Sequence, residues 1–157
     1  MRRLTALIIL PLIAFLGSCA REPAAEPMAN GLLLSLAVLE SGPSGPVPQP
    51  ARLGILTYEG TAWGYRFIED EDSNVFHKAM VFAPAGGEAA IITAGGTRAI
   101  VKLWHKDGSS STLWEKDFGG KFSRMRDLEV ADVNGDGFTD IAVATHDQGV
   151  VALLYRV

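Results

Sequence analysis

The sequence predicts an all-β chain assembled from repeating four-stranded units. From Arg52 onward, short apolar or alternating runs are separated by Gly, Asp, Asn and Ser, the punctuation of strands and turns, and no stretch sustains a helical period. The chain also resembles itself when shifted by 50 residues, and one oxygen-rich loop at Asp132 lies between two apolar runs. Composition sets the outer bounds. With 157 residues, 48% of them hydrophobic, and a single cysteine, this is one modest globular domain plus extra segments, not a disulfide scaffold. Fourteen Lys and Arg against eighteen Asp and Glu give a net charge of −4, and no basic block occurs, which argues against nucleic acid as a partner.

Residues 1–18 read as an export signal. Met1, Arg2 and Arg3 form a short basic start, and Leu4 to Leu16 an apolar run shorter than the roughly 20 residues that span a bilayer. The run closes in Leu16-Gly17-Ser18-Cys19, which resembles the lipobox of bacterial lipoproteins. That resemblance implies cleavage before Cys19, a diacylglycerol on its sulfur and acylation of the new amino terminus, an anchor of two or more chains where one alone binds only marginally. An ordinary secretory cleavage near Ser18 or Ala20 is the plainer alternative. Ala20 after the cysteine favours the outer membrane by the same resemblance, placing the chain in a bacterial cell envelope. Without residues 1–18 the chain keeps 12 Lys and Arg against 18 Asp and Glu, a net −6 over 139 residues.

Residues 19–50 hold Pro23, Pro27, Pro43, Pro46, Pro48 and Pro50 among Gly and Ser, the composition of a semi-extended tether. One apolar island, Gly31 to Glu40, interrupts it and suits a buried strand or a short helix, packing on the domain or on the membrane surface. Strands are then expected at 53–58, 62–68, 76–83, 89–94, 99–105, 111–116, 126–131, 140–145 and 149–156.

The 50-residue shift lays Ala90 to Ala94 on Asp140 to Ala144, Ala99 to Leu103 on Gly149 to Leu153, and Met80-Val81 on Val130-Ala131. A fourth strand, Ser111 to Lys116, follows the turn Lys106 to Ser109 in the earlier unit. Four antiparallel strands in about 50 residues is the arithmetic of a β-propeller blade. The expected architecture is a partial propeller: two strands of one blade, four of the next and three of a third, with 76–118 a degenerate unit and 122–157 a loop-bearing one. Propellers close with roughly 4 to 8 blades. The count suggests a fragment of a longer propeller, a truncated product without function, or a chain that associates with itself through open edge strands.

The chemistry concentrates in Asp132-Val133-Asn134-Gly135-Asp136-Gly137-Phe138-Thr139-Asp140. Side-chain oxygens stand at loop positions 1, 3, 5 and 9, and a glycine at position 6 allows the backbone to turn sharply around a single ion. Calcium takes six to eight oxygens in an adaptable shell. Asp132, Asn134, Asp136 and Asp140 offer side-chain oxygens, Phe138 its carbonyl, and water the remainder; an Asx-rich turn holding no ion is the plain alternative. An EF-hand needs Glu at position 12, where this chain has Val143, and a dockerin an acidic residue there. Strand, loop and strand over Arg126 to Gly137 instead resemble the FG-GAP or VCBS-type repeats of integrin-like β-propellers, in which such a loop binds calcium for structure and not for catalysis. In the earlier unit the matching positions, Phe82, Pro84, Gly86 and Ala90, carry no side-chain oxygen, so that unit is expected to be metal-free.

The remaining candidates have plainer readings. Glu69-Asp70-Glu71-Asp72 reads as a solvated, self-repelling turn before a second cation site. His77, His105 and His146 lack zinc spacing, and no nucleophile, phosphate-loop or dinucleotide signature is present. Trp63, Trp104, Trp114, Tyr58, Tyr65 and Phe67 are expected to pack between sheets, with sugar stacking at an exposed rim as the alternative. The functional expectation is a membrane-anchored calcium-binding module, not an enzyme, held to lipid through Cys19 and presenting loops to a protein or glycan. The propeller part of a polysaccharide-acting enzyme is the competing class.

Overall fold

The computed structural model describes residues 31–84, 87–119 and 123–155, and every regular element in it is a strand. In chain order these are β1 (Gly31–Leu36), β2 (Leu39–Gly42), β3 (Gly45–Pro48), β4 (Ala51–Tyr58), β5 (Trp63–Asp70), β6 (Phe76–Phe82), β7 (Ala90–Gly95), β8 (Ala99–Trp104), β9 (Ser110–Lys116), β10 (Met125–Ala131), β11 (Asp140–Thr145) and β12 (Val151–Leu154). They form antiparallel sheets in the orders β1-β4-β5, β6-β7-β8-β9 and β10-β11-β12, with β2-β3 a separate hairpin. The signal segment, Cys19 and the first part of the expected tether lie outside the described residues.

The first sheet corrects the tether. Residues 31–48, read as a tether interrupted by an island at Gly31 to Glu40 suited to a buried strand or a short helix, hold three strands, and β1 pairs with β4 from Gly31 opposite Thr57 to Leu36 opposite Arg52. Proline breaks a central strand because it lacks an N–H, but Pro46 and Pro48 sit in β3 of a two-stranded ribbon, where a missing donor is tolerated. Nor is the island at Gly31 to Glu40 buried: Leu32 and Leu34 are exposed, while Leu33 packs inward.

The three larger sheets stack face to face, with their first strands side by side: β1 beside β6, and β6 beside β10. They are successive blades of a partial β-propeller. One apolar layer joins the first two, built on Ala51, Leu53, Ile55, Phe76 and Trp104. A second joins the β6–β9 and β10–β12 sheets through Phe82, Ile92, Val101, Leu103, Met125, Leu128, Ile141 and Val143. Strand β8 lies between the two layers, buried at all six positions. Fully burying one such aliphatic or aromatic side chain stabilises by about 1.5–3 kcal/mol, so these layers dominate the fold's stability.

Register refines the repeat. Shifting by 50 superposes β7 on β11, but the first strand of each blade is offset by 49: Val81 faces Ile91 as Val130 faces Ile141. Val81 is therefore the counterpart of Val130, not of Ala131. Both first strands carry a bulge near their start, at Phe76/Lys78 and at Met125/Asp127. The connection at 83–89 is one residue shorter than that at 132–139. Phe82, which the uniform shift lays on a loop ligand, is the buried end of β6.

Two expectations about side chains change. Trp104 is buried, and its indole Nε1 donates to Thr93 Oγ1 at 2.9 Å, but Trp63, Tyr65 and Phe67 are exposed on the face of β5 opposite Ile68, with Tyr58 stacked against Trp63 at 5.2 Å. These four do not pack between the described sheets. The acidic run is not merely a solvated turn either. Asp70 is 4% exposed, and its Oδ1 and Asp72 Oδ2 each lie 2.6 Å from the Nζ of Lys102 on β8. Arg98 reaches Asp72 at 3.3 Å, and Arg52 meets Glu69 across β4 and β5. Asp70 Oδ2 is buried with no hydrogen-bond partner among the described residues, which leaves Lys102 as that carboxylate's principal compensation.

Burial pulls the Lys102 pKa down, but hydrogen bonds and charge from Asp70 and Asp72 outweigh it and hold the ammonium above its ordinary 10.5; the Lys102 hydrogen bond holds Asp72 below 3.8. Removing one partner strands the other as a buried charge. Lys102→Met is expected to cost about 3–5 kcal/mol in urea denaturation. The Asp72 contribution exists above its ordinary pKa and is lost as pH falls through the depressed value, whereas that of Lys102 exists below 10.5 and is lost as pH rises past it. Thermal melts of Lys102→Met should accordingly depend less on pH than wild type, both below about pH 4 and above about pH 10.

Candidate metal centre

β10 and β11 pair without interruption from Asp127 opposite Ala144 to Ala131 opposite Asp140, so the ladder delivers both ends of the 132–139 loop to fixed positions. Leu128 and Val143, opposite each other and buried, anchor that hairpin to the apolar layer beneath it. Above the last pair the chain winds around one carboxylate. Asp132 Oδ1 accepts from the backbone N–H groups of Gly135 at 2.7 Å and Asp136 at 3.1 Å, and Oδ2 accepts from Gly137 at 2.9 Å. Asn134 Oδ1 accepts the Asp136 N–H at 2.9 Å, and Asp136 Oδ1 accepts that of Phe138 at 3.0 Å.

Such winding requires left-handed backbone, which glycine supplies at Gly135 (φ 77°) and Gly137 (φ 85°). Asp140 closes the loop from its far side. Wholly buried as the first residue of β11, it accepts the Val133 N–H through Oδ2 at 3.1 Å, tying the exit of the loop to its entrance.

The expected donors thus divide. Asp132, Asn134 and Asp136 share one turn, Asp140 stands at the base, and the Phe138 side chain is exposed while its N–H serves Asp136. Among the described residues no three His, Cys, Asp or Glu side chains converge as a ready metal cluster. The chemistry of the set still fits a hard divalent cation. All the donors are oxygens, the ligand type that calcium and magnesium take. Were calcium bound, Asp132, Asn134, Asp136, the Phe138 carbonyl and Asp140 would hold it, and it would neutralise three neighbouring carboxylates.

Residues 126–154 match the FG-GAP repeat. The matched residues run from the second residue of β10 through the loop to the last residue of β12. The match accords with an integrin-like β-propeller module and with the stacked sheets. No curated protein and no solved structure matches the chain.

Outside the loop, the third blade is closed by an ion pair that spacing alone does not reveal. Arg124, just before β10, grips Asp147 in the β11–β12 turn through Nε at 3.0 Å and Nη2 at 2.7 Å, and the His146 N–H donates to the Arg124 carbonyl at 2.9 Å. Arg124 first, and His146 second, hold the Asp147 carboxyl far below the usual carboxylate range. His146-Asp147, a conspicuous pair in a loop, is therefore engaged in closing the blade. Lys78 on β6 likewise meets Asp127 at 3.1 Å and Glu129 at 2.5 Å on β10, joining neighbouring inner strands. Lys102 was the one legible clue to such pairs, since a lysine inside an apolar strand requires a buried partner.

A Cβ added at Gly137 meets nothing within 4 Å, so Gly137→Ala tests backbone strain without a clash. At φ 85° it should cost about 1–2 kcal/mol in chemical denaturation, with the fold's circular-dichroism spectrum unchanged.

Proposed function

We propose that the chain is a membrane-anchored, calcium-binding propeller-repeat protein that serves as a binding module of the bacterial cell envelope. The observation that carries this reading is the wound, oxygen-rich loop at Asp132 to Asp140 inside the FG-GAP repeat. Calcium would bind there for structure. By neutralising Asp132, Asp136 and Asp140 it would lock the β10–β11 hairpin, and a rigid hairpin keeps the neighbouring loops in one arrangement for a partner to recognise.

A binding role is favoured over catalysis by the engagement of the acidic groups. Asp70, Asp72, Asp127 and Asp147 lie in ion pairs, and Asp132, Asp136 and Asp140 accept loop N–H groups, a disposition suited to holding structure and not to acid–base work on a substrate. The exposed aromatics of β5 make a glycan as eligible a partner as a protein, because sugars stack on such rings. Anchoring rests on the lipobox-like Leu16-Gly17-Ser18-Cys19.

Calcium should raise the melting temperature of the wild-type protein, by about 2.7 kcal/mol of stabilisation at a hundredfold excess over Kd. Asp132→Ala with Asp136→Ala should abolish that gain in differential scanning calorimetry. Equal gains in both proteins would overturn the structural-metal role. Cys19→Ala should move the protein from the membrane to the soluble fraction on cell fractionation and remove the mass of the acyl chains; an unchanged distribution would defeat the anchor.

A further inference from the structure

The layer between the first two blades is not filled along its whole length. Beyond the cluster around Leu53 and Phe76 it opens into a cavity of about 330 Å³. Leu33, Ile55 and Ile68 line it from the first sheet, and Ile91 and Trp104 from the second. Small residues, Gly31, Thr57, Ala89 and Ala90, also border it. Its volume lies within the range of small-molecule sites, roughly 300–1,000 Å³, and apolar walls with a few polar groups are the usual lining of such sites.

Two of those polar groups, Arg66 and Lys106, are cations, and among the described residues no carboxylate lines the cavity. Arg66, His105 and Lys106 all line the cavity, and all three are exposed, which places them where it meets solvent. Arg66 makes no ion pair or side-chain hydrogen bond with any described residue. Lys106 has only a loose contact with the exposed Glu88, at 3.7 Å. Elsewhere in the described chain the arginines at 52, 98 and 124 are paired with carboxylates, while Arg126 shares with Arg66 the lack of an ion pair but lies outside the cavity lining. An uncommitted guanidinium presents a planar fork that matches a carboxylate, and a charge-assisted pair of this kind is stronger than a neutral hydrogen bond.

From this combination we infer that the cleft between the first two blades binds a small free carboxylate with an apolar body, such as a medium-chain fatty acid. The hydrocarbon enters the layer against Trp104 and Ile55, and the carboxylate stays at the opening with Arg66 and Lys106. The site is separate from the 132–140 loop, lies in a different inter-blade layer, and does not depend on calcium.

Isothermal titration of the full chain with decanoate, 1-decanol and decyltrimethylammonium tests the assignment, since the three share a tail and differ in head charge. Decanoate should bind saturably with one site per chain, and at least tenfold more tightly than the other two. Arg66→Gln should reduce the preference for decanoate over decanol at least tenfold while leaving decanol unchanged. Val81→Trp, at an exposed position on the cavity wall, should block all binding. Both sites are at the surface, and matching thermal melts would show that the variants fold. Failure of decanoate to bind, equal affinity for the alcohol, or indifference to both substitutions would overturn the proposal.

Discussion

The two central strands of the sheet β6–β9, β7 and β8, are buried on both faces, and that constraint organises everything around them. A sheet that exposes one face to water alternates apolar and polar residues, whereas β8 is buried at every position and β7 at all but one. Such a sheet cannot stand alone. The first blade covers one side and the third the other, and each supplies a matching set of aliphatic side chains. The cost of placing Lys102 in this strand follows from the same constraint, and is offset by bringing Asp70 and Asp72 against it from the end of the first blade. The ion pair thus ties the end of the first blade to the middle of the second.

The loop at Asp132 draws its order from this packing. Its two ends leave a hairpin whose inner side chains, Leu128, Ile141 and Val143, are buried in the layer facing β6–β9. Asp140 marks the transition, a wholly buried carboxylate at the last rung of the ladder bonded upward to the Val133 N–H. Above it, polar atoms are served by the backbone of the loop itself. The blade thus carries an apolar base and a polar crown, with Asp132, Asn134 and Asp136 gathered in the crown and Asp140 at its foot.

Sequence pattern made the central part of this legible for a physical reason. The strands at 90–95 and 140–145 are continuous aliphatic runs flanked by glycine and polar turns, and the pairs they form with 99–104 and 151–154 are local, so a constant shift finds them. The Asp-x-Asn-x-Asp-Gly pattern was equally readable, since the side chains that wind the loop are close in sequence. Less local features were not. β1 pairs with β4 across the inserted β2–β3 hairpin, and Pro43, Pro46, Pro48 and Pro50, which look like breakers, fall in that hairpin and its flanks. The aromatics of β5 alternate as a core strand would, but the face they occupy is turned away from the neighbouring blade. No periodicity distinguishes a face with a neighbour from one without.

The differing lengths of the two blade connections have a meaning for how such a fold diversifies. Seven residues join β6 to β7 and eight join β10 to β11, yet both connections begin and end on equivalent rungs, Phe82 opposite Ala90 and Ala131 opposite Asp140. The ladder beneath is indifferent to what spans its top. A single inserted residue, together with oxygen-bearing side chains, separates the 83–89 connection from the 132–139 loop. The blade behaves as a socket with interchangeable caps, and functional variety can accumulate at its rim while the pairing that holds the molecule together is left untouched.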